Sequence, residues 1–166
     1  MTRRVLKLSL ALPAILAAAQ LIRPGTANPP VTPERSVWND HRVDPRVARI
    51  LRRACADCHS HETTWPWYSK ISPISWWVAR HVDKGRAKLN FSDWSGADPD
   101  QLEEISTSIA KDKMPLSSYL LMHPNARLSQ ADRDILAGWA DGKPWRRAIT
   151  RSAPLRAEVP LPRVRK

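Results

Sequence analysis

Cys55-Ala56-Asp57-Cys58-His59 is the segment of the chain whose residue types and spacing carry chemistry. Two cysteines separated by two residues and followed at once by a histidine form the attachment signature of a c-type haem. The spacing has a mechanical reason. About one helical turn separates the sulfurs, so both reach the vinyl groups along one edge of the macrocycle, and the next residue is brought against the iron. These are the only two cysteines in the chain. Two rival readings stay open. A redox dithiol of thioredoxin type needs a βαβ setting, which the sequence does not offer. Zinc needs four ligands at structural spacing, and Cys55, Cys58, His59 and His61 are too crowded along the chain for a good tetrahedron. One haem c, covalent through Cys55 and Cys58, is the favoured reading.

Iron held by His59 needs a ligand on its other face, and Met114, Met122, His61, His81 and His123 are the candidates. Met114 precedes Pro115, which biases it to extended backbone and away from a helix. Its thioether then projects from a stiff loop, and Met114 is the expected second metal ligand beside His59. Core packing is the competing role, since methionine readily fills gaps. His61 lies too close to His59 to reach the opposite face. His81 falls on an apolar helical face and is expected to be buried and hydrogen-bonded, with a haem carboxylate as one partner. His123 is the alternative ligand, and bis-His iron would have a lower potential than His/Met iron. Met122 reads as core.

His59 also needs a fixed acceptor for its other ring nitrogen, sought here among carbonyls near Pro66 or Pro73. Trp65, Trp67, Trp76, Trp77 and Trp94 offer apolar walls with N–H donors. Arg80 and Arg86 are the cations expected beside the haem carboxylates. The cofactor-binding set read from the sequence is therefore Cys55, Cys58, His59, Met114, His81, Arg86 and Trp94.

Four helices can position these groups. Asp44-Pro45 supplies a cap and a first-turn proline; Val47, Ile50, Leu51 and Ala54 follow at helical spacing, and the helix runs into Cys55. Ser72-Pro73 starts a second helix, with Ile74, Trp77, Val78 and His81 on its inner face and Gly85 suited to end it. Asp98-Pro99 starts a third, with Gln101 at the capping-box position and Leu102, Ile105 and Ile109 inward. Ser129 caps a last helix that buries Ile135, Leu136 and Trp139 and stops at Gly142, with Pro144 beyond. Tyr119 to Met122 suits a short helical turn. No stretch alternates as a strand does, so the class is all-α, a cytochrome c-like fold with long loops around its cofactor.

The formal charge of the 166-residue chain is +11, yet residues 36–141 hold 14 basic and 14 acidic side chains. The excess lies in Arg3, Arg4, Lys7 and Arg23 and in the eight basic residues from Lys143 to Lys166. A neutral body with basic ends does not suit a nucleic-acid domain, which carries its basic face on the fold. The basic start followed by apolar Leu8 to Ile22 reads as an export signal. Fifteen helical residues reach about 22 Å, short of a bilayer core, but counting from Val5 a retained anchor fits equally. Residues 1–27 are thus read as export signal or N-terminal membrane anchor, 28–35 as a Pro-rich linker, 36–142 as the haem domain and 143–166 as a basic Pro/Arg-rich tail, extended or disordered.

Longer motifs carry a resemblance. They are Cys55-Ala-Asp-Cys-His-Ser-His-Glu-Thr-Thr-Trp-Pro-Trp-Tyr68, Ser75-Trp76, and His81-Val-Asp-Lys-Gly-Arg86 with Leu89-Asn-Phe-Ser-Asp-Trp94. They continue in Met114-Pro-Leu-Ser-Ser-Tyr119, His123-Pro124 and the helix from Leu128 to Trp139. Over Asn28 to Gly142 the chain resembles the haem-binding-domain family of small bacterial cytochrome-c-like proteins. The resemblance implies a single-haem c-type fold on an exported or anchored chain, with His59 and Met114 on the iron. It says little of a partner. The expected role is one-electron transfer with redox proteins of the cell envelope, in the periplasm, soluble or attached to the inner membrane by the N-terminus. The alternative is a haem sensor in which a gas or peroxide displaces a labile Met114. A peroxidase ranks below the carrier, because no distal His–Arg pair is recognisable.

Overall fold

The computed structural model describes residues 3–94 and 98–142. Among these residues there are seven α-helices and no strand: α1 Arg3–Ala19, α2 Pro45–Ala54, α3 Ala56–His59, α4 Ile74–Lys88, α5 Pro99–Ala110, α6 Ser117–Met122 and α7 Gln130–Ala140. The chain is all-α. The basic tail 143–166, Pro144 included, lies outside the described residues.

Helix α2 starts where its chemistry directs. The Asp44 carboxylate accepts the Arg46 N–H at 2.7 Å, Pro45 occupies the first turn, and Val47, Ile50, Leu51 and Ala54 are buried. Cys55 closes it by donating its N–H to the Leu51 carbonyl at 2.8 Å, and the chain re-enters a short turn of helix as α3. At the other end of the domain, α7 carries a reciprocal cap. Ser129 Oγ accepts from Asp132 N at 3.1 Å while Asp132 Oδ2 accepts from Ser129 N at 2.9 Å, satisfying two orphan groups of the first turn. Helices α2 and α7 pack together. Leu51, Leu136, Phe91, Ile105 and Ile109 meet in one core, with Ile135 and Trp139 packed partly buried against it. Arg53 reaches from α2 to Asp132 Oδ2 and the Arg127 carbonyl, both at 3.0 Å. Helix α7 ends at Ala140, and Gly142 follows with φ 64°.

Helix α5 opens with Asp98 capping, although its carboxylate takes the Asp100 N–H at 3.0 Å. Ile105 and Ile109 are buried and Leu102 half-buried, so the inward face is the expected one.

Helix α4 departs from expectation in two ways. It runs through Gly85 to Lys88, so Gly85 is not its terminator. Its buried face is Ser75, Ala79, Val82 and Gly85, whereas Ile74 and Trp77 are 47% and 45% exposed. The small residues let α4 approach α3 closely, and the bulky stripe beside them is left to line open space.

The segment after α1 is tied to the domain along its length. Asn28 Nδ2 donates to the Thr63 carbonyl at 2.9 Å, Asn28 Oδ1 accepts from Trp65 Nε1 at 3.0 Å, and Trp94 N donates to the Arg35 carbonyl at 2.6 Å. Residues 28–35, with the composition of a linker, are bonded to the domain at both ends.

A candidate haem cavity beside Cys55, Cys58 and His59

Short α3 holds the three signature side chains on one turn, and two neighbours fix its position. The backbone of α4 lies against it at Gly85. A Cβ on Gly85 would collide with the Cys58 carbonyl oxygen and lie 3.0 Å from its carbon and 3.2 Å from Cys58 Cβ. Only glycine fits there. On the other side runs the stretch after α4: Phe91 N donates to the His59 carbonyl at 2.7 Å, and His61 N donates to Ser92 Oγ at 2.9 Å.

The side chain of His59 is oriented by the same stretch. Its Nδ1 lies 3.1 Å from the Leu89 carbonyl. A carbonyl only accepts, so Nδ1 carries the proton and Nε2 keeps its lone pair. Burial pushes His59 below its usual range, outweighing the pull of the Leu89 carbonyl, and favours the neutral ring that a metal ligand must be. The acceptor is Leu89, not a carbonyl near Pro66 or Pro73. No local motif marks it, because it lies 30 residues on and meets His59 only through the fold.

Both cysteines are free thiols. Burial pushes Cys55 up to about 12 and Cys58 up to about 11, with Cys58 adding to the first and Asp57 to the second. A reactive dithiol needs the opposite shift. Among the described residues no group of three or more His, Cys, Asp or Glu is placed to hold a metal ion. His61 is turned away, its Nδ1 on the Pro30 carbonyl at 3.0 Å and its Nε2 beside Asn90 Nδ2 at 2.8 Å.

Cys55, Cys58 and His59 open onto a cavity of about 420 Å³, and Met114 and Pro115 line it as well. Its remaining walls come from Leu51 and Ala54 of α2, Ile105 and Ile109 of α5, Leu116, Phe91 and Tyr119. Met114 is brought there by the end of α5. The Ser108 carbonyl accepts from Lys113 N at 2.9 Å and from Met114 N at 3.3 Å, and Asp112 takes φ 53° between them and the helix. Arg133 of α7 clamps this turn, with Nη1 on the Ile109 carbonyl at 2.9 Å and 2.6 Å from Asp112 Oδ1. Met114 is 37% exposed, so its thioether sits at the cavity's rim rather than in the core.

The other predicted site residues divide. His81 lines the cavity; its Nδ1 donates to the Trp77 carbonyl at 2.7 Å and its ring lies 4.2 Å from the Trp77 ring. Arg86 does not line it. Its guanidinium is spent on the Ser60 carbonyl (2.8 Å), Thr63 Oγ1 (2.8 Å) and Asn28 Oδ1 (2.9 Å), stitching the loop after His59 to the segment before the domain. Trp94 does not line it either. It is buried among Phe91 and Trp139 at 6.2 and 6.0 Å, and its Nε1 donates to Asp40 Oδ2 at 3.2 Å. Both belong to the scaffold because their polar ends find protein partners first. The cations at the cavity are Lys84, Lys88 and Lys113, with Glu104 bonded to Lys88 at 2.8 Å, while Arg80 is exposed elsewhere. Lys84, Lys88 and His81 share one face of α4 at helical spacing, a signal present in the sequence itself.

A second cavity of about 340 Å³ adjoins the first, sharing Asp57, Cys58, His81, Leu116 and Tyr119. His123 and Met122 line this one and not the first; His123 stacks on Tyr119 at 4.1 Å with its Nδ1 on the Tyr119 carbonyl at 3.1 Å. Met122 is 52% exposed and so is not core. Between the cavities, Tyr119 OH donates to Asp57 Oδ2 at 2.6 Å while Asp57 Oδ1 accepts from Thr64 N at 2.9 Å. Burial, reinforced by Asp57, pushes the Tyr119 hydroxyl above its usual range and keeps it protonated.

The donor set fits a haem. Two free thiols, a neutral imidazole with one fixed nitrogen and one open, and a thioether face the same mostly apolar space, with lysines at its edge. Searches of curated proteins and of solved structures found no match. The model of the haem-binding domain family matches residues 14–142, most of the 166-residue chain, and the chain belongs to that haem-binding family.

Proposed function

We propose that the chain carries one haem c and passes single electrons at the cell envelope. The observation that supports this most is that Cys55, Cys58, His59 and Met114 line one cavity although Met114 lies 55 residues beyond His59. Cys55 and Cys58 would hold the haem by thioethers, His59 Nε2 and Met114 sulfur would ligate its iron, and Lys84, Lys88 and Lys113 would meet its carboxylates. The bound haem supplies one-electron chemistry between ferrous and ferric iron. The residues of the chain fix its surroundings: Leu89 holds the His59 tautomer, Gly85 lets α4 close on Cys58, and Arg133 holds the turn that presents Met114. The cytochrome c-like arrangement is supported by α2, which leads into the signature, packing against α7. Export, with α1 as signal or anchor, follows from its basic start and apolar run, and redox proteins of that compartment are the partners.

The far-red absorption of the oxidised, matured protein tests the ligand pair. A sulfur-to-iron band, lost in Met114→Ala, is expected. A high-spin spectrum that binds carbon monoxide or peroxide at once would replace this reading with the second, a haem sensor or small-ligand module. The rim position of Met114 and the adjoining cavity are what favour that second reading.

A further inference from the structure

Met114 lies between two elements that are held very differently. On the α5 side the Ser108 carbonyl and Arg133 fix the turn that precedes it. On the other side Pro115 and Leu116 lead into α6, none of whose residues is fully buried. Leu116 caps this helix without a side-chain bond, its carbonyl accepting from Tyr119 N and Leu120 N at 3.0 Å each. So short a helix has little stability of its own, and α6 takes its place from what it touches.

Tyr119 supplies the tie. Its hydroxyl donates to Asp57 Oδ2 at 2.6 Å, and Asp57 stands between Cys55 and Cys58 in the signature turn. Among the described residues this is the one hydrogen bond that joins residues 115–122 to the signature turn or to α5. Asp57 is already held from its other side. Its Oδ1 accepts from Thr64 N at 2.9 Å and its carbonyl from Thr63 Oγ1 at 2.7 Å. The bond to Tyr119 therefore orients α6 rather than the turn. The Tyr119 ring lines the same cavity as Met114 and also the one beside it, so a shift of α6 moves a wall of both.

We propose that the Tyr119–Asp57 bond is a latch that keeps the Met114 segment against the signature turn, which makes Tyr119 a positioning residue for the second iron ligand. The inference rests on the reading of Met114 as that ligand. A hydroxyl bonded to a carboxylate biases such an equilibrium by about tenfold to a hundredfold. Without the bond, the state with Met114 withdrawn gains population by that factor.

Carbon monoxide binding to the reduced, matured protein reads that population, because the gas reaches the iron only while Met114 is away. Tyr119→Phe removes the hydroxyl and keeps the ring that stacks on His123. It is expected to bind the gas at least about tenfold faster than wild type, and Asp57→Asn faster by a smaller factor. Arg86→Leu, which loosens the loop after His59, is the control and should bind at the wild-type rate. A wild-type rate in Tyr119→Phe would overturn the latch, as would Arg86→Leu accelerated to the same degree. If Tyr119→Phe does not mature, Asp57→Asn decides in the same way. A wild type without the sulfur-to-iron band fails at an earlier point: it takes Met114 off the iron, and the latch falls with that reading.

Discussion

Gly85 lies against the backbone of Cys58, with no room for a methyl group between α4 and the carbonyl of the signature turn. Because the obstacle is backbone, it cannot swing aside as a side chain would. Alanine at this position gains up to about 1 kcal/mol of helix propensity, but overpacking costs about 1–3 kcal/mol. Gly85→Ala is therefore expected to lower stability by about 1–2 kcal/mol in denaturant titration. A variant as stable as the parent would show that α4 and α3 stand further apart.

Arg86 separates a scaffold role from a cofactor role. With its three hydrogen bonds all on protein oxygens, Arg86→Leu should cost about 2 kcal/mol of stability. The redox potential of the mature protein should stay where it was. A shifted potential with unchanged stability would put the guanidinium on a haem carboxylate instead.

The α7 cap should be sensitive to acid. Burial pushes Asp132 up, but the Ser129 hydroxyl and N–H, together with Arg53, outweigh it and hold the carboxylate below its usual range. A depressed carboxyl contributes stability above its unfolded value near about 4, lost as pH falls through the folded value. The stability difference between wild type and Asp132→Asn is expected to be largest at neutral pH and to shrink on acidification toward about pH 2. A difference that stays constant with pH would remove the carboxylate's charge from the account.

What the sequence disclosed and what it hid divide along the range of the interactions. Asp44, Asp98 and Ser129 announce helix starts because a cap acts within a few residues, and the five-residue signature carries its own spacing. Leu89, Gly85 and Tyr119 act on His59, Cys58 and Asp57 from 27 to 62 residues away, through pairings that exist only once α3, α4 and α6 are assembled. Gly85 read as a terminator because glycine at a helix end and glycine at a close approach look alike in one dimension. Arg86 and Trp94 suit a haem site by residue type, but the fold gives their polar ends protein partners. Hydropathy points Ile74 and Trp77 at the core, whereas α4 packs by its small residues and leaves both exposed.

The central claim is covalent haem at Cys55 and Cys58, and intact mass spectrometry under denaturing conditions tests it most directly. Chain matured by export in a host that attaches haem is the material. The expected result is one species with the mass of the mature chain plus one haem, replaced by the bare chain in Cys55→Ser/Cys58→Ser. Wild-type protein that releases its haem on denaturation and runs at the bare mass would contradict the claim.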